Sequence, residues 1–144
     1  MKRLFWGLLI AAGLLNCRQS DVETVTCNVN TDYTTDPAQA AQWIVGEWKL
    51  LAVSAMIPNP PVDNLRLRFT SNGQVTTIRD DQPASTNSYA IEPTSYGLLL
   101  KTNAESTPDN CYLRNASLRI CADELFLDCG MAMDLPAYRF RRVR

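Results

Sequence analysis

Few residue types in this 144-residue chain could carry chemistry. Five cysteines stand out: Cys17, Cys27, Cys111, Cys121 and Cys129. Histidine is absent. That removes imidazole acid–base catalysis, Ser-His-Asp and Cys-His nucleophilic systems, and histidine metal sites. No Cys-x-x-Cys pair occurs, so the thiols do not have zinc-site spacing. Beyond the first 16 residues the only lysines are Lys49 and Lys101. Asp80-Asp81 and Asp123-Glu124 are adjacent carboxylates, but each pair sits among turn residues and reads as solvated rather than catalytic. Neither follows a calcium-loop pattern. No enzyme activity, metal or cofactor is expected, and the cysteines become the residues to place.

Cys17 closes a distinctive leader. Lys2 and Arg3 precede an apolar run from Leu4 to Leu15, a charged n-region followed by an h-region of secretory length. A membrane-spanning helix needs ~20 apolar residues, and this run is shorter. Leu14-Leu15-Asn16-Cys17 resembles the lipobox of bacterial lipoproteins, with Asn16 where that family has Gly or Ala. The resemblance implies cleavage of residues 1–16, lipidation of Cys17, and a folded part tethered to a bilayer it does not cross. One acyl chain holds weakly, whereas several on one cysteine hold firmly. The implied location is the bacterial outer membrane, with the protein facing the periplasm or the exterior. Ser20-Asp21-Val22-Glu23 resembles the short acidic signal by which some Gram-negative bacteria send lipoproteins to the cell surface.

Export would put Cys27, Cys111, Cys121 and Cys129 in a disulfide-permissive space. Four cysteines allow two bridges in three connectivities, among which the sequence does not choose. Without Lys2 and Arg3, the chain's 14 basic residues fall to 12 against 15 acidic ones, a net charge of −3. That balance gives no sign of nucleic-acid binding or of a strong electrostatic hold on anionic lipid.

The elements follow from pattern. Residues 17–35 are polar and read as a tether. Asp36 is a good helix N-cap, Pro37 suits the first helical position, and Gly46 can end the helix in a left-handed C-cap. From there period-two alternation takes over. Strands are expected over 48–56, 65–70, 74–79, 88–92, 97–102, 116–121, 125–129 and 138–143, with segments rich in Pro, Asn, Asp, Gly and Ser between them. The turn Ser71-Asn72-Gly73 marks a hairpin. Leu65, Leu67 and Phe69 alternate with Arg66 and Arg68, so each strand has one apolar and one wet face. Eight short strands at this spacing fit an antiparallel barrel or sandwich over residues 36–144.

Gly46-Glu47-Trp48-Lys49-Leu50, Leu67-Arg68-Phe69-Thr70-Ser71-Asn72-Gly73 and Tyr138 through Val143 carry a further resemblance. A short helix, a Gly-x-Trp at the start of the first strand and a closing Tyr-x-x-x-Arg-Val resemble lipocalins and their small bacterial lipoprotein relatives. This implies an all-β, eight-stranded antiparallel up-and-down barrel preceded by a short N-terminal helix. It also implies that Trp48 plugs the closed end under an arginine of the last strand. Arg142 shares parity with Tyr138 and Phe140 and is the first candidate, with Arg141 and Arg139 as alternatives.

Lipocalins bind small apolar molecules, so the resemblance implies a ligand. Short strands and bulky inward residues (Leu50, Leu67, Phe69, Tyr89, Leu118, Ile120 and Phe140) argue for a filled lower half and a shallow pocket. Candidate contacts at the open mouth are Met56 and Ile57 on the proline-stiffened first loop, Met131, Met133 and Leu135 on the last loop, and Tyr89 on the inner wall. The expected function is binding of a small apolar or amphipathic molecule by a lipid-anchored envelope protein. The alternative is an interaction or inhibitor module whose loops hold another envelope protein.

Overall fold

The computed structural model describes Cys27, residues 32–105 and residues 107–144. The leader 1–16, Cys17 and most of the tether lie outside the described residues. Eight antiparallel strands close into one up-and-down barrel in sequence order, with the last strand pairing the first. They are β1 (Gly46–Ser54), β2 (Leu65–Phe69), β3 (Gln74–Arg79), β4 (Gln82–Thr94), β5 (Gly97–Thr102), β6 (Ala116–Ile120), β7 (Glu124–Asp128) and β8 (Ala137–Arg142). Among the described residues one α-helix, α1 (Pro37–Ile44), precedes them, and the Asp36 side chain accepts a hydrogen bond from the Ala38 amide at its start.

Closure follows from the alternation. Leu50, Leu67, Phe69, Leu118, Ile120, Leu125, Leu127 and Phe140 all turn inward and are buried, and a closed ring leaves no sheet edge unpaired. The ladder is interrupted between Leu50 and Ala52 and again between Thr77 and Ile78. After the first interruption Val53 returns to the inner face opposite Tyr138, leaving Leu51 exposed outside.

Three expectations need correction. The segment 80–87 is not a loop: Asp80 and Asp81 alone form the turn, both at positive φ, and β4 begins at Gln82. Its first half is Pro, Ala, Ser, Thr and Asn, wet on both sides, so no alternation announces it; ladder bonds to β3 hold it instead. Pro83 falls at the ladder irregularity, where a strand tolerates proline. The connection between β5 and β6, read as a polar loop segment, is not irregular throughout either. A 3-10 segment, Pro108–Leu113, inserts Tyr112 and Leu113 into the core, each only 1% exposed. Finally, Gly46 does not cap α1. Val45 does, in extended conformation, and Gly46 at φ +134° is the first residue of β1.

Candidate functional site

The barrel has one end sealed by α1 and one end ringed by the longer connections. At the sealed end Trp48 is fully buried, and its indole Nε1 donates to the Ile44 carbonyl at 2.8 Å. Arg142, directly opposite Trp48 in the β1–β8 ladder, lies with its guanidinium carbon 4.2 Å from the ring centroid. Its Nη1 donates to the Val45 carbonyl at 2.9 Å, its Nη2 to the Trp43 carbonyl, and its Nε to the Ala122 carbonyl at 2.7 Å. The orphan carbonyls at the C-terminus of α1 are thus satisfied by two side chains from the sheet, and a cation sits at the negative end of the helix. Burial draws the Arg142 guanidinium below its ordinary pKa, opposed by the charge of Asp123. Gly46 completes the fit: a Cβ there would stand 2.6 Å from Arg142 Nη1. Arg141 and Arg139 lie on or toward the outer wall instead.

The open end is built differently. Beneath the proline-rich loop 55–64 lies a cavity of about 440 Å³. Leu50, Val53, Ile57, Pro60 and Leu65 supply apolar wall, and Asp63, Arg79, Tyr112 and Tyr138 supply polar atoms. Val75, Thr77 and Arg79 share the inner face of β3, which is why an arginine points into the barrel at all. Arg79 Nη2 donates to the Tyr112 hydroxyl at 3.0 Å, and Nη1 pairs with Asp63 at 3.3 Å. Burial pushes the Tyr112 hydroxyl pKa up, and the neighbouring Arg79 charge pulls against it. The Tyr112 ring meets Tyr138 edge-on at 4.9 Å and Phe140 at 6.3 Å. The Tyr138 hydroxyl sits 3.9 Å from Cys111 Sγ, and must be the donor because that sulfur is disulfide-bonded.

A second lobe of about 270 Å³ opens on the other side of Arg79 and Tyr112, walled by Thr77, Ser85, Thr107 and Asn110. Thr77 is 3% exposed, and its hydroxyl has no hydrogen-bond partner among the described residues. A buried hydroxyl left unpaired costs about 1–3 kcal/mol. The mouth therefore holds two cavities of mixed lining that share Arg79 and Tyr112, with the Thr77 hydroxyl on the smaller one.

Each end carries one disulfide. Cys27 bonds Cys121 at the sealed end (Cα–Cα 6.5 Å), and Cys111 bonds Cys129 at the mouth (5.8 Å). The second ties the Tyr112 segment to the loop before β8.

The mouth candidates from the sequence separate. Ile57 lines the 440 Å³ cavity. Met56, Met131 and Leu135 share a neighbouring cleft of about 290 Å³ with Pro60. Met133 lines neither and is 78% exposed. Tyr89 is a correction: it lies toward the sealed end, edge-on to Phe69 at 5.1 Å, with its hydroxyl donating to the Thr70 carbonyl at 3.1 Å. Sequence reasoning missed Arg79, Tyr112, Tyr138 and Thr77. The parity of Val75, Thr77 and Arg79 was the available signal for two of them. Among the described residues no group of three or more Cys, Asp or Glu is arranged to hold a metal.

No protein-family model matches this chain, and no curated protein matches it. Among solved structures, a DUF4847 family protein from Bacteroides vulgatus ATCC 8482 aligns at 12% identity with a TM-score of 0.43, over 69% of this chain and 93% of that one.

Proposed function

We propose that this chain is an envelope lipoprotein, anchored to the outer membrane through acylated Cys17, whose barrel mouth binds a small amphipathic molecule. One observation carries the reading: a cavity of about 440 Å³ with mixed polar and apolar walls and a smaller one of about 270 Å³ both reach Arg79 and Tyr112, and among the described residues the buried Thr77 hydroxyl has no partner. A volume in this range suits one small ligand. Its apolar part would lie against Leu50, Val53, Ile57 and Leu65, and its polar part would face Thr77 and Arg79. In this reading the barrel serves as a binder.

Native mass spectrometry of the protein extracted from its own membrane tests this. The expected spectrum shows acylated mature chain with a retained small molecule, and Arg79→Met reduces the retained fraction. A chain of bare mass that carries no small molecule would defeat the ligand reading.

A second reading has its own support. Met56, Ile57, Val62, Met133 and Leu135 are exposed on the loops at the mouth, and clustered exposed apolar residues mark protein contacts. Co-purification of a stoichiometric envelope protein, lost with Met133→Ser and Leu135→Ser, would favour an interaction module.

A further inference from the structure

The net charge of the chain conceals a one-sided distribution. Six cations project from the outer faces of β6, β8, β1 and β2: Arg119, Arg139, Arg141, Lys49, Arg66 and Arg68. Lys49 stands directly opposite Arg141 on one side and Arg66 on the other, so three like charges share one cross-strand row. Glu47 answers Arg66 and Arg68 at 2.8 and 2.7 Å, Asp81 also bonds Arg66, and Glu124 lies 3.6 Å from Arg139. Lys49 and Arg141 make no ion pair among the described residues. Arg119 lies over the Phe126 ring, 5.9 Å from its centroid, and makes no ion pair among the described residues. The opposite wall is uncharged by comparison: Thr76 and Thr86 bond each other across β3 and β4, and Lys101 pairs with Glu92 at 3.2 Å.

The chain enters the fold along the base of the cationic wall. Cys27 is bonded to Cys121 at the end of β6, the Thr34 amide donates to the Ile120 carbonyl at 3.1 Å, and the Tyr33 hydroxyl bonds Glu124 at the start of β7. From Cys17 to Cys27 the chain can span at most about 35 Å. An acyl group on Cys17 therefore keeps this wall close to the bilayer it inserts into. We infer that the outer wall of β6–β8, β1 and β2, centred on the Arg141–Lys49–Arg66 row, rests on the anionic phospholipid headgroups of that bilayer. The placement beside the membrane rests on the lipid-anchor reading above; the charge on the wall does not. Basic residues near an anionic surface add attraction that fades within a Debye length of ~10 Å.

The test uses the mature chain, residues 17–144, with Cys17→Ser, so that neither the apolar leader nor an acyl group contributes. Partition is measured on vesicles of phosphatidylcholine alone and of phosphatidylcholine with phosphatidylglycerol, at low and high salt. The expected result is preference for the phosphatidylglycerol vesicles that weakens with salt. Adding Lys49→Gln, Arg119→Gln and Arg141→Gln lowers that partition at least about tenfold, with an unchanged thermal midpoint. Lys101→Gln on the opposite wall leaves it unchanged. Equal partition onto both vesicle types, or a triple variant that binds like its parent, overturns the assignment. Retention on immobilised dextran sulfate without binding to anionic vesicles would make the partner a polyanion and overturn it as well. The anchor is read separately, from the mass of Cys17 in protein from native membranes. Unmodified Cys17 together with salt-sensitive vesicle binding would remove the anchor and uphold the wall.

Discussion

The two ends of this barrel satisfy their polar groups in opposite ways. At the sealed end the Trp48 indole and the Arg142 guanidinium between them donate to the carbonyls of Trp43, Ile44, Val45 and Ala122. At the mouth Arg79 and Tyr112 bond each other, yet the Thr77 hydroxyl beside them has no partner among the described residues and cavities lie on both sides. A fully satisfied end is built for stability. An end with cavities and an unpaired buried hydroxyl is where the ligand proposed above would sit. Fold alone would not separate these roles, because both ends belong to one closed sheet.

The difference can be broken by mutation. Trp48→Ala should cost about 3–5 kcal/mol in denaturant unfolding, the range for emptying an aromatic core position. A loss under about 1 kcal/mol would mean that the sealed end is not the keystone described here. Removing the mouth disulfide with Cys111→Ala and Cys129→Ala should cost about 3 kcal/mol, because it closes a short loop of sequence separation 18. Trp48 fluorescence should stay buried in that variant, since the bond lies at the other end.

Thr77→Val should act in the opposite direction. Valine keeps the shape and deletes the unpartnered hydroxyl, so the unliganded protein should gain about 1 kcal/mol, while retention of a ligand with a polar group should fall. A destabilised Thr77→Val protein would show that the hydroxyl already has a partner, and the contrast between the ends would weaken.

The smallest effect belongs to the sealed end's outer rim. Hydrogen bonds from Arg68, aided by the charges of Arg68 and Arg66 and opposed by burial, hold the Glu47 carboxyl below its ordinary pKa of 4.5. A carboxyl depressed in the folded state stabilises it above the unfolded pKa. That contribution is lost as the pH falls from about 4.5 through the folded value. Glu47→Gln should therefore lower stability at neutral pH, by less than about 1 kcal/mol for so exposed a partner as Arg68. The gap between variant and parent should close in acid. A gap that persists in acid would mean that the carboxylate charge is not what Glu47 contributes.

The sealed end was far more legible in the sequence than the mouth. The lipocalin resemblance set Trp48 against an arginine of the last strand, and the parity of Tyr138, Phe140 and Arg142 put Arg142 ahead of Arg141 and Arg139, because parity is local to a strand. Strands β3 and β5 were bounded to the residue for the same reason. The mouth is assembled from connections, where alternation is silent. Cys111, Tyr112 and Leu113 sit in a segment dense in Asn, Asp and Pro, and nothing local says that such a loop turns inward to fill the barrel. Tyr89 was misplaced because inward parity fixes a face and not a height along the axis. The first half of β4 was missed because a strand wet on both sides has no apolar period to read.

By itself the sequence determined the alternating faces, the strand number, the absence of imidazole chemistry and the supply of paired thiols. These depend on residue type and on spacing within a few positions. Only the tertiary structure decided which thiols bond, that Arg79 meets Tyr112 thirty-three residues away, and that Lys49 lies between Arg141 and Arg66. Closing β8 onto β1 brings together side chains nearly a hundred positions apart. The field they create depends on that closure, whereas the net charge is the same however the chain is arranged.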